Sequence, residues 1–386
     1  MKPSWPASQS VPRFLSLAGA LAVIAGALFF FGKEPADSAD GSTRLGGFVS
    51  WDSGLYPGRP QSWPQWLDDD TIVFAGDALG KPGTLSEASD RTDAIIVWHL
   101  GDSPIPYRDE RWLKMGNGRI VCAANGVLAY SVGYDTASDG TRLLKIEEGP
   151  PGQTKERIVD YPEQRPRQGL YPFAEDDSAP CDFYRDPKMN GRHWTVDHDR
   201  KFYLDFGPFE QWPPTDDPVT LLSPTVDKAP VVLPVTRKQA IFACTQYHAF
   251  SGLFYLQDCG NWEGKSFEKA TCRVYWTVNP STAQTERHCV PFDPVLGEGW
   301  DQLLPTARGI FFSTSQNMTM SDVGLSGLFW SRGKTTSLVV KGFVQNVSVS
   351  PNGCRLAFSY AKALRDIVVG TWGKYSIVAI DVCQER

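Results

Sequence analysis

The chain has 386 residues, 41% hydrophobic and 21% charged, with a net charge of −6, 35 glycines and 29 prolines. This is the composition of a folded, turn-rich chain, long enough for two ordinary domains or one large β architecture. The mild acidic excess, with no basic block beyond the N-terminal tail, excludes the electrostatic footprint of a nucleic-acid binder.

Residues 1–13 carry Lys2 and Arg13, and residues 14–32 (FLSLAGALAVIAGALFFFG) then run without a charge to Lys33-Glu34. At 1.5 Å per helical residue the run matches a hydrocarbon core of about 30 Å, and the preceding basic residues favour a cytoplasmic N-terminus. A cleaved signal peptide needs small residues at a site just past a shorter apolar run. The run instead ends in Phe29-Phe30-Phe31, and Ala36 and Ser38 lie well past it. The expectation is therefore an uncleaved transmembrane signal anchor, with the cleaved signal as its rival. The first cysteine is Cys122, too far along for a lipid anchor. Residues 33–43 (KEPADSADGST) are small, polar and acidic and form a stalk; residues 44–386 would then be extracytoplasmic, most simply in a bacterial periplasm.

From residue 44 the chain consists of short Val-, Ile-, Phe-, Tyr- and Trp-rich runs between Asn, Asp, Gly and Pro clusters, without a convincing helix. A turn followed by strands recurs. Asp68-Asp69-Asp70 precedes Thr71-Ile72-Val73-Phe74 and then residues 94–100; Asn117-Gly118 or Asn125-Gly126 opens another copy, and Asp197-His198-Asp199 precedes residues 201–204. Weaker copies stand at 236–242 and 306–312, and Pro351-Asn352-Gly353 precedes residues 355–358 and 375–382. The period is about 40–70 residues, as in arrays whose units bury their faces only against neighbours.

Residues 350–358 (SPNGCRLAF), followed by Ile377-Val378-Ala379-Ile380-Asp381, resemble the blade signature of TolB-like and WD-repeat-like β-propellers. The resemblance implies an all-β fold: a β-propeller of about six blades, between five and seven, after the N-terminal transmembrane helix. A β-sandwich with long loops is the alternative. The last blade runs out with three strands, and residues 45–51 can supply the fourth. Propellers of this kind gather the connections between second and third strands on one face, which would bring together residues 75–93, 248–271 and 359–374. Pro-rich insertions at 161–192 and 208–230 would add to that face.

Eight cysteines agree with an oxidising compartment. Cys272 and Cys289 lie equidistant from Asn279-Pro280-Ser281-Thr282, and Cys244 and Cys259 from Ser251-Gly252, so hairpins at those turns would set each pair opposite one another. Cys354 and Cys383 fall on neighbouring strands of the last repeat, which leaves Cys122 with Cys181. No CxxC or HxxxH spacing suggests a metal, and no P-loop, GxGxxG or GxSxG motif suggests a cofactor or a serine nucleophile.

Exposed indoles can stack on sugar rings. Of 13 tryptophans, Trp98, Trp276 and Trp330 read as strand packing, whereas Trp262, Trp194 and Trp212 lie in or near loops and are the binding candidates. Arg185-Asp186-Pro187 ahead of the strand at 201–206 resembles the Arg-Asp-Pro motif of furanosidase-type five-bladed glycoside hydrolases. That resemblance implies substrate contact by Arg185 and Asp186. The family's Asn-Asp-Pro-Asn-Gly and Glu-Cys-Pro-Asp motifs have no counterparts here, and Glu298, beside Trp300, is the remaining candidate acid. Asp68-Asp69-Asp70 reads as an Asx-type turn. The expected activity is binding, as a membrane-anchored module for an envelope protein, peptide or glycan. The alternative is an anchored glycan-acting hydrolase using Asp186 and Glu298.

Overall fold

The computed structural model describes residues 43–55, 64–77, 93–109, 121–140, 142–160, 192–197, 199, 201–208, 215–223, 229–241, 244–257, 272–291, 303–314, 327–333, 335–362 and 376–385. Residues Ser38–Arg386 form one compact unit, and a second unit, Met1–Asp37, lies outside the described residues. The anchor at 14–32 therefore lies outside them too. No helix among the described residues is long and apolar enough to cross a membrane.

The described chain is almost entirely strand, in six antiparallel sheets. The first sheet contains β3 (Gln65–Trp66), β4 (Thr71–Asp77), β5 (Asp93–His99) and β6 (Ile105–Asp109). The second contains β7 (Val121–Ala124), β8 (Val127–Thr136), β9 (Arg142–Gly149) and β10 (Lys155–Asp160), and the third β11 (Arg192–Val196), β12 (Tyr203–Pro208), β13 (Pro218–Leu222) and β14 (Val231–Thr236). The fourth is β15 (Gln246–His248), β16 (Leu253–Gln257), β17 (Cys272–Val278) and β18 (Thr285–Pro291). In the fifth are β19 (Leu303–Thr306), β20 (Gly309–Thr314), β21 (Gly327–Arg332) and β22 (Thr335–Lys341). Each of these five is a plain meander in chain order.

The sixth sheet breaks that rule. Its order is β1-β2-β25-β24-β23, joining the N-terminal β1 (Thr43–Leu45) and β2 (Phe48–Asp52) to β23 (Phe343–Val349), β24 (Arg355–Ala361) and β25 (Ser376–Glu385). The pairing of the early run with the last repeat is as expected, with Ser50 across from Ile380 and Asp52 across from Val378. The early run, expected to supply one strand, is instead a hairpin of two. Gly46 and Gly47 both have positive φ, 61° and 90°, the backbone that a tight two-residue turn requires. A Cβ on Gly46 would lie 1.9 Å from the Val339 carbonyl oxygen, so the turn rests on β22 of the fifth sheet.

Strands buried on both faces account for the near-continuous apolar runs in the sequence. In β4, Ile72 and Phe74 join Ala357, Ile377 and Ala379 of the sixth sheet in one core, while Val73 packs with Ala123, Leu128 and Tyr130 of the second. In β20, Phe311 faces Leu356 and Phe358 of the sixth sheet, and Phe312 faces Val290 of the fourth. Leu204 and Phe206 of the third sheet meet Phe254 and Leu256 of the fourth. The sixth sheet thus packs back on the first. Each large side chain so buried contributes about 1.5–3 kcal/mol.

Side-chain amides tie neighbouring sheets. Gln257, 2% exposed, donates from Nε2 to the Leu303 carbonyl at 2.9 Å and accepts the Leu303 amide at 2.7 Å, occupying an edge position of β19 as a strand would. Gln65 Oε1 accepts the Ala123 amide at 2.9 Å, and the Trp66 indole donates to the Ser348 carbonyl at 3.3 Å.

Cys354 and Cys383 form a disulfide with Cα atoms 5.1 Å apart, from the turn before β24 to β25. At a sequence separation of 29, reduction should cost about 3–4 kcal/mol in the chain-entropy description. Non-reducing peptide mapping should recover this pair, and a Cys354→Ser/Cys383→Ser variant should lose that much stability in urea. Cys244 and Cys289 are each in a disulfide as well. The hairpin registers differ from expectation: Cys289 lies across from Val274 and Cys272 across from Pro291, because the turn spans Asn279 to Gln284 with Ala283 at φ 58°. Its centre therefore falls one residue later than the Asn279-to-Thr282 signal implied. Likewise Tyr255 faces Gln246, so residue 257 and not 259 is level with Cys244, which sits in a helical turn ahead of β15. Cys259, Cys181 and the side chains of Cys272 and Cys122 lie outside the described residues, and with them the rest of those pairings.

Two further expectations change. Ala240 and Ile241 are not a strand; Ala240 donates to the Thr236 carbonyl and both are buried in the turn leaving β14. The turn of the fourth sheet is instead 249–252, so the stretch 248–271 is no continuous connection but contains β16.

Candidate functional site

Each sheet has two ends that differ in kind. At one end the first strand turns tightly into the second, and the sequence supplies these turns with side-chain caps. Asp68 Oδ1 accepts the Asp70 amide at 2.9 Å, the Asx turn expected there. Asp197 Oδ1 accepts the amides of Lys201 and Phe202 at 2.7 and 2.8 Å. Ser350 Oγ accepts the Arg355 amide at 2.9 Å, and Asn125 takes φ 56° ahead of Gly126.

These turns are laced to one another. The Gly126 amide donates to the Leu67 carbonyl at 2.7 Å, from the second sheet to the first. The Asn352 amide donates to Asp69 Oδ1 at 2.8 Å, and Arg355 Nη1 donates to the Asp69 carbonyl and to Asp70 Oδ1, from the sixth sheet to the first. Ala307 of the fifth sheet donates to the Gly353 carbonyl of the sixth at 2.9 Å. Phe250 of the fourth sheet lies against Gly353, where an added Cβ would be 2.6 Å from its Cγ. Thr195 of the third donates to the Thr245 carbonyl at the fourth, 3.3 Å. The turns of the first, second, fourth, fifth and sixth sheets take part, and the third sheet joins the fourth through β11.

The opposite end carries the second-to-third connections, where the fifth and sixth sheets are joined by the Tyr360 hydroxyl donating to the Lys341 carbonyl at 3.0 Å. In the third sheet that end carries a charged rim. Arg192 holds Asp205 through Nε and Nη2, and Asp205, 6% exposed, also accepts the Gly207 amide at 2.8 Å. The bond to Asp205 holds the Arg192 guanidinium above its usual range. Arg237 lies over Gly207, whose φ of 93° and missing Cβ leave room for the guanidinium, and it pairs with Asp217 at 3.5 Å. Lys238 and Asp216, the most exposed pair of the rim, meet at 3.0 Å. In the first sheet, register sets Asp77 across from Asp93 at the mouth of the 78–92 connection.

Buried carboxylates among the described residues are committed to the fold. Asp197 caps its turn, Asp205 holds Arg192, and Asp381 accepts the amides of Cys383 and Gln384 and lies 3.6 Å from Arg355. No cluster of three metal-ligating side chains occurs among the described residues.

Trp194 is in β11, 9% exposed and packed edge-on against Tyr203 at 5.6 Å, so its indole belongs to the core and is not free to stack on a ligand. Its position beside an insertion is what made it look like a rim residue. Trp98, Trp276 and Trp330 are core residues, as their strands implied. Trp262, Trp212, Arg185, Asp186 and Glu298 lie outside the described residues. Sequence reasoning missed Arg192, Asp205 and Arg237; an Asp inside the apolar run Tyr203-Leu204-Asp205-Phe206 was the available signal, since a buried carboxylate demands a partner.

It also missed a ladder across the fourth sheet. His248 is buried beside Tyr255 at 5.2 Å, Tyr255 stacks on Tyr275 at 6.0 Å, and Tyr275 on His288 at 4.8 Å. Burial is the main cause that pushes the Tyr275 hydroxyl up to about 12. His288 Nε2 and Thr277 Oγ1 share a hydrogen bond of 2.8 Å.

No known protein family matches this chain, and no curated protein matches it. Among solved structures, it is similar to an acylaminoacyl peptidase from Pyrococcus horikoshii, at 7% identity and TM-score 0.32 over 64% of this chain and 36% of that one. It is similar to the β-propeller domain of the Trilobed protease from Pyrococcus furiosus, at 8% identity and TM-score 0.29 over 64% and 79%. Trypanosoma rangeli sialidase in complex with sialic acid gives 10% identity and TM-score 0.36 over 92% and 58%. This chain thus spans about a third of the peptidase and somewhat over half of the sialidase, and at these TM-scores the likenesses bear no argument. The description of the fold rests on its own strand order and packing.

Proposed function

We propose that the six sheets are the blades of one closed propeller, held to a membrane by residues 14–32, and that its second-to-third-strand loops bind an envelope protein, peptide or glycan. The observation that carries this reading is the difference between the two ends. Turns from the first, second, fourth, fifth and sixth sheets are bonded or packed together at one end, which leaves the loop end as the approach to the axis. Contact of the sixth sheet with the first, through Trp66 and the core shared by Ile72 and Ala379, supports closure. The Cys354–Cys383 bond supports an extracytoplasmic setting, since such bonds persist in oxidising compartments. The charged rim suits a polar partner surface, where rim charges set association and specificity.

The test begins with carbonate-washed native membranes. The intact chain should stay in the pellet; a soluble chain starting near residue 33–40 would remove the anchor and leave export intact. From detergent extracts, a partner captured by the wild type should be lost with Lys238→Glu/Asp216→Lys at the loop end and kept with Lys201→Glu at the turn end. Loss with Lys201→Glu alone would place binding on the wrong end. Glycan hydrolysis abolished by Asp186→Asn or Glu298→Gln would replace binding by catalysis.

A further inference from the structure

At the laced end, a ring nitrogen of His248 is left without a hydrogen-bond partner. His248 closes β15, and its carbonyl accepts the Gly252 amide at 2.9 Å and the Ser251 hydroxyl at 3.2 Å, so its backbone shapes the turn 249–252. Its ring stands edge-on to Phe250 at 5.8 Å and to Tyr255 at 5.2 Å. The side chain is 7% exposed and Nε2 is fully buried without a hydrogen-bond partner. Phe250, the next aromatic in the turn, is the residue that reaches across to Gly353, whose carbonyl in turn holds Ala307. A charge at His248 would therefore arise inside an aromatic contact, beneath the residue that joins the fourth sheet's turn to those of the fifth and sixth.

We propose that His248 and Phe250 form an acid-sensitive latch: protonation of His248 lifts the 249–252 turn and withdraws Phe250 from Gly353, unlacing the turn end at the fourth, fifth and sixth sheets. The groups packed on the ring offer the imidazolium no counter-charge. From its own turn comes Phe250 and from β16 Tyr255. Asp197, Asp199 and Lys201 of the third sheet act on Tyr247, the next residue of β15, whose side chain leaves the opposite face of that strand. Burial alone pushes His248 down to about 4. The sign follows: with its folded value below the ordinary value of about 6.5, the contact is intact above that pH and weakens as pH falls through the window down to about 4. If His248 regains its ordinary titration once the turn lifts, opening becomes about twentyfold more favourable between pH 7 and pH 5.

Hydrogen exchange on the full chain in detergent tests this, corrected for the intrinsic pH dependence of exchange. Peptides covering 246–254, 304–310 and 350–354 should gain about twentyfold in opening between pH 7 and 5 in the wild type, with residues 357–361 of β24 unchanged. His248→Gln should abolish that gain, and Phe250→Ala should open residues 350–354 already at pH 7. A His248→Gln protein with the wild-type pH response would overturn the proposal. Should that variant fail to fold, the wild-type histidine resonances decide: one of the five should titrate below pH 5 with Phe250 shifting at the same midpoint. Titration of all five near 6.5 would overturn the latch equally. Neither outcome depends on the anchor or on what the loop end binds.

Discussion

Phe48→Ala is expected to destabilise the domain by about 3–5 kcal/mol, the range for emptying a buried aromatic site. Phe48 opens β2 and is 2% exposed, 6.1 Å from Phe311 and 5.6 Å from Trp330 of the fifth sheet, within a core that also contains Val344, Leu356 and Ile380. The side chain therefore joins three pieces of chain distant in sequence: the N-terminal hairpin, the fifth sheet and the C-terminal strands. β25 is buried over residues 377–382 and needs a partner on both edges; β24 supplies one and β2 the other. Loss of Phe48 leaves a cavity and loosens that second partner together. Urea unfolding of the wild type, Phe48→Ala and the half-buried control Val49→Ala measures it. A loss below about 1 kcal/mol, the ordinary surface range, would show that the N-terminal hairpin is peripheral. Deletion of residues 43–52 should lower the melting temperature of the whole domain for the same reason, since a free edge of β25 would be exposed.

Arg355→Met is the second change expected to be severe, at about 3–5 kcal/mol, because it strands a buried charge. Arg355 begins β24 with its side chain 17% exposed, and Asp381 beside it is 4% exposed. The same guanidinium donates to the Asp69 carbonyl and Asp70 of the first sheet and lies 5.8 Å above Trp51. Without it, Asp381 keeps only the amides of Cys383 and Gln384. A double-mutant cycle with Asp381→Asn separates the parts: the pair should recover much of the single loss, since the stranded charge is gone. Additive losses would mean that the bonds to Asp69 and Asp70 carry the effect. Arg355→Lys should not restore stability, because one ammonium cannot bond in the two directions that the planar fork serves.

Both predictions concern the junction that was most legible beforehand. The last repeat reads as three strands, and an early apolar run stands ready to complete it; period-two side-chain alternation and the cost of an open edge are properties of any strand, so pairing of the two ends follows from local pattern. Cys354 and Cys383 were found for the same reason. The other hairpins show where such reasoning stops. Around Asn279 the turn residues were recognised, but an alanine in the left-handed region lengthens the loop and moves the register, and no rule of composition marks Ala283 for that role. The apolar Ala240 and Ile241 look like a strand, yet they fill the space under a turn.

Charge, apolar runs and turn chemistry act over a few residues, and for that reason the amino-acid order alone determined the all-β class, the spacing of the repeated turns, the early run's place beside the last strands and the Cys354–Cys383 bond. The commitments of polar side chains were decided only by the folded arrangement. Gln257 looks like any polar residue at a strand end until Leu303, from a different sheet, presents both its amide and its carbonyl. Trp194 looks like a rim aromatic until Tyr203 covers it. Asp205 acquires Arg192, and the Nε2 atom of His248 acquires no hydrogen-bond partner, because burial removes the water that would otherwise satisfy every polar group alike. Which neighbour then replaces that water depends on how the sheets pack, and that packing joins residues far apart in the chain.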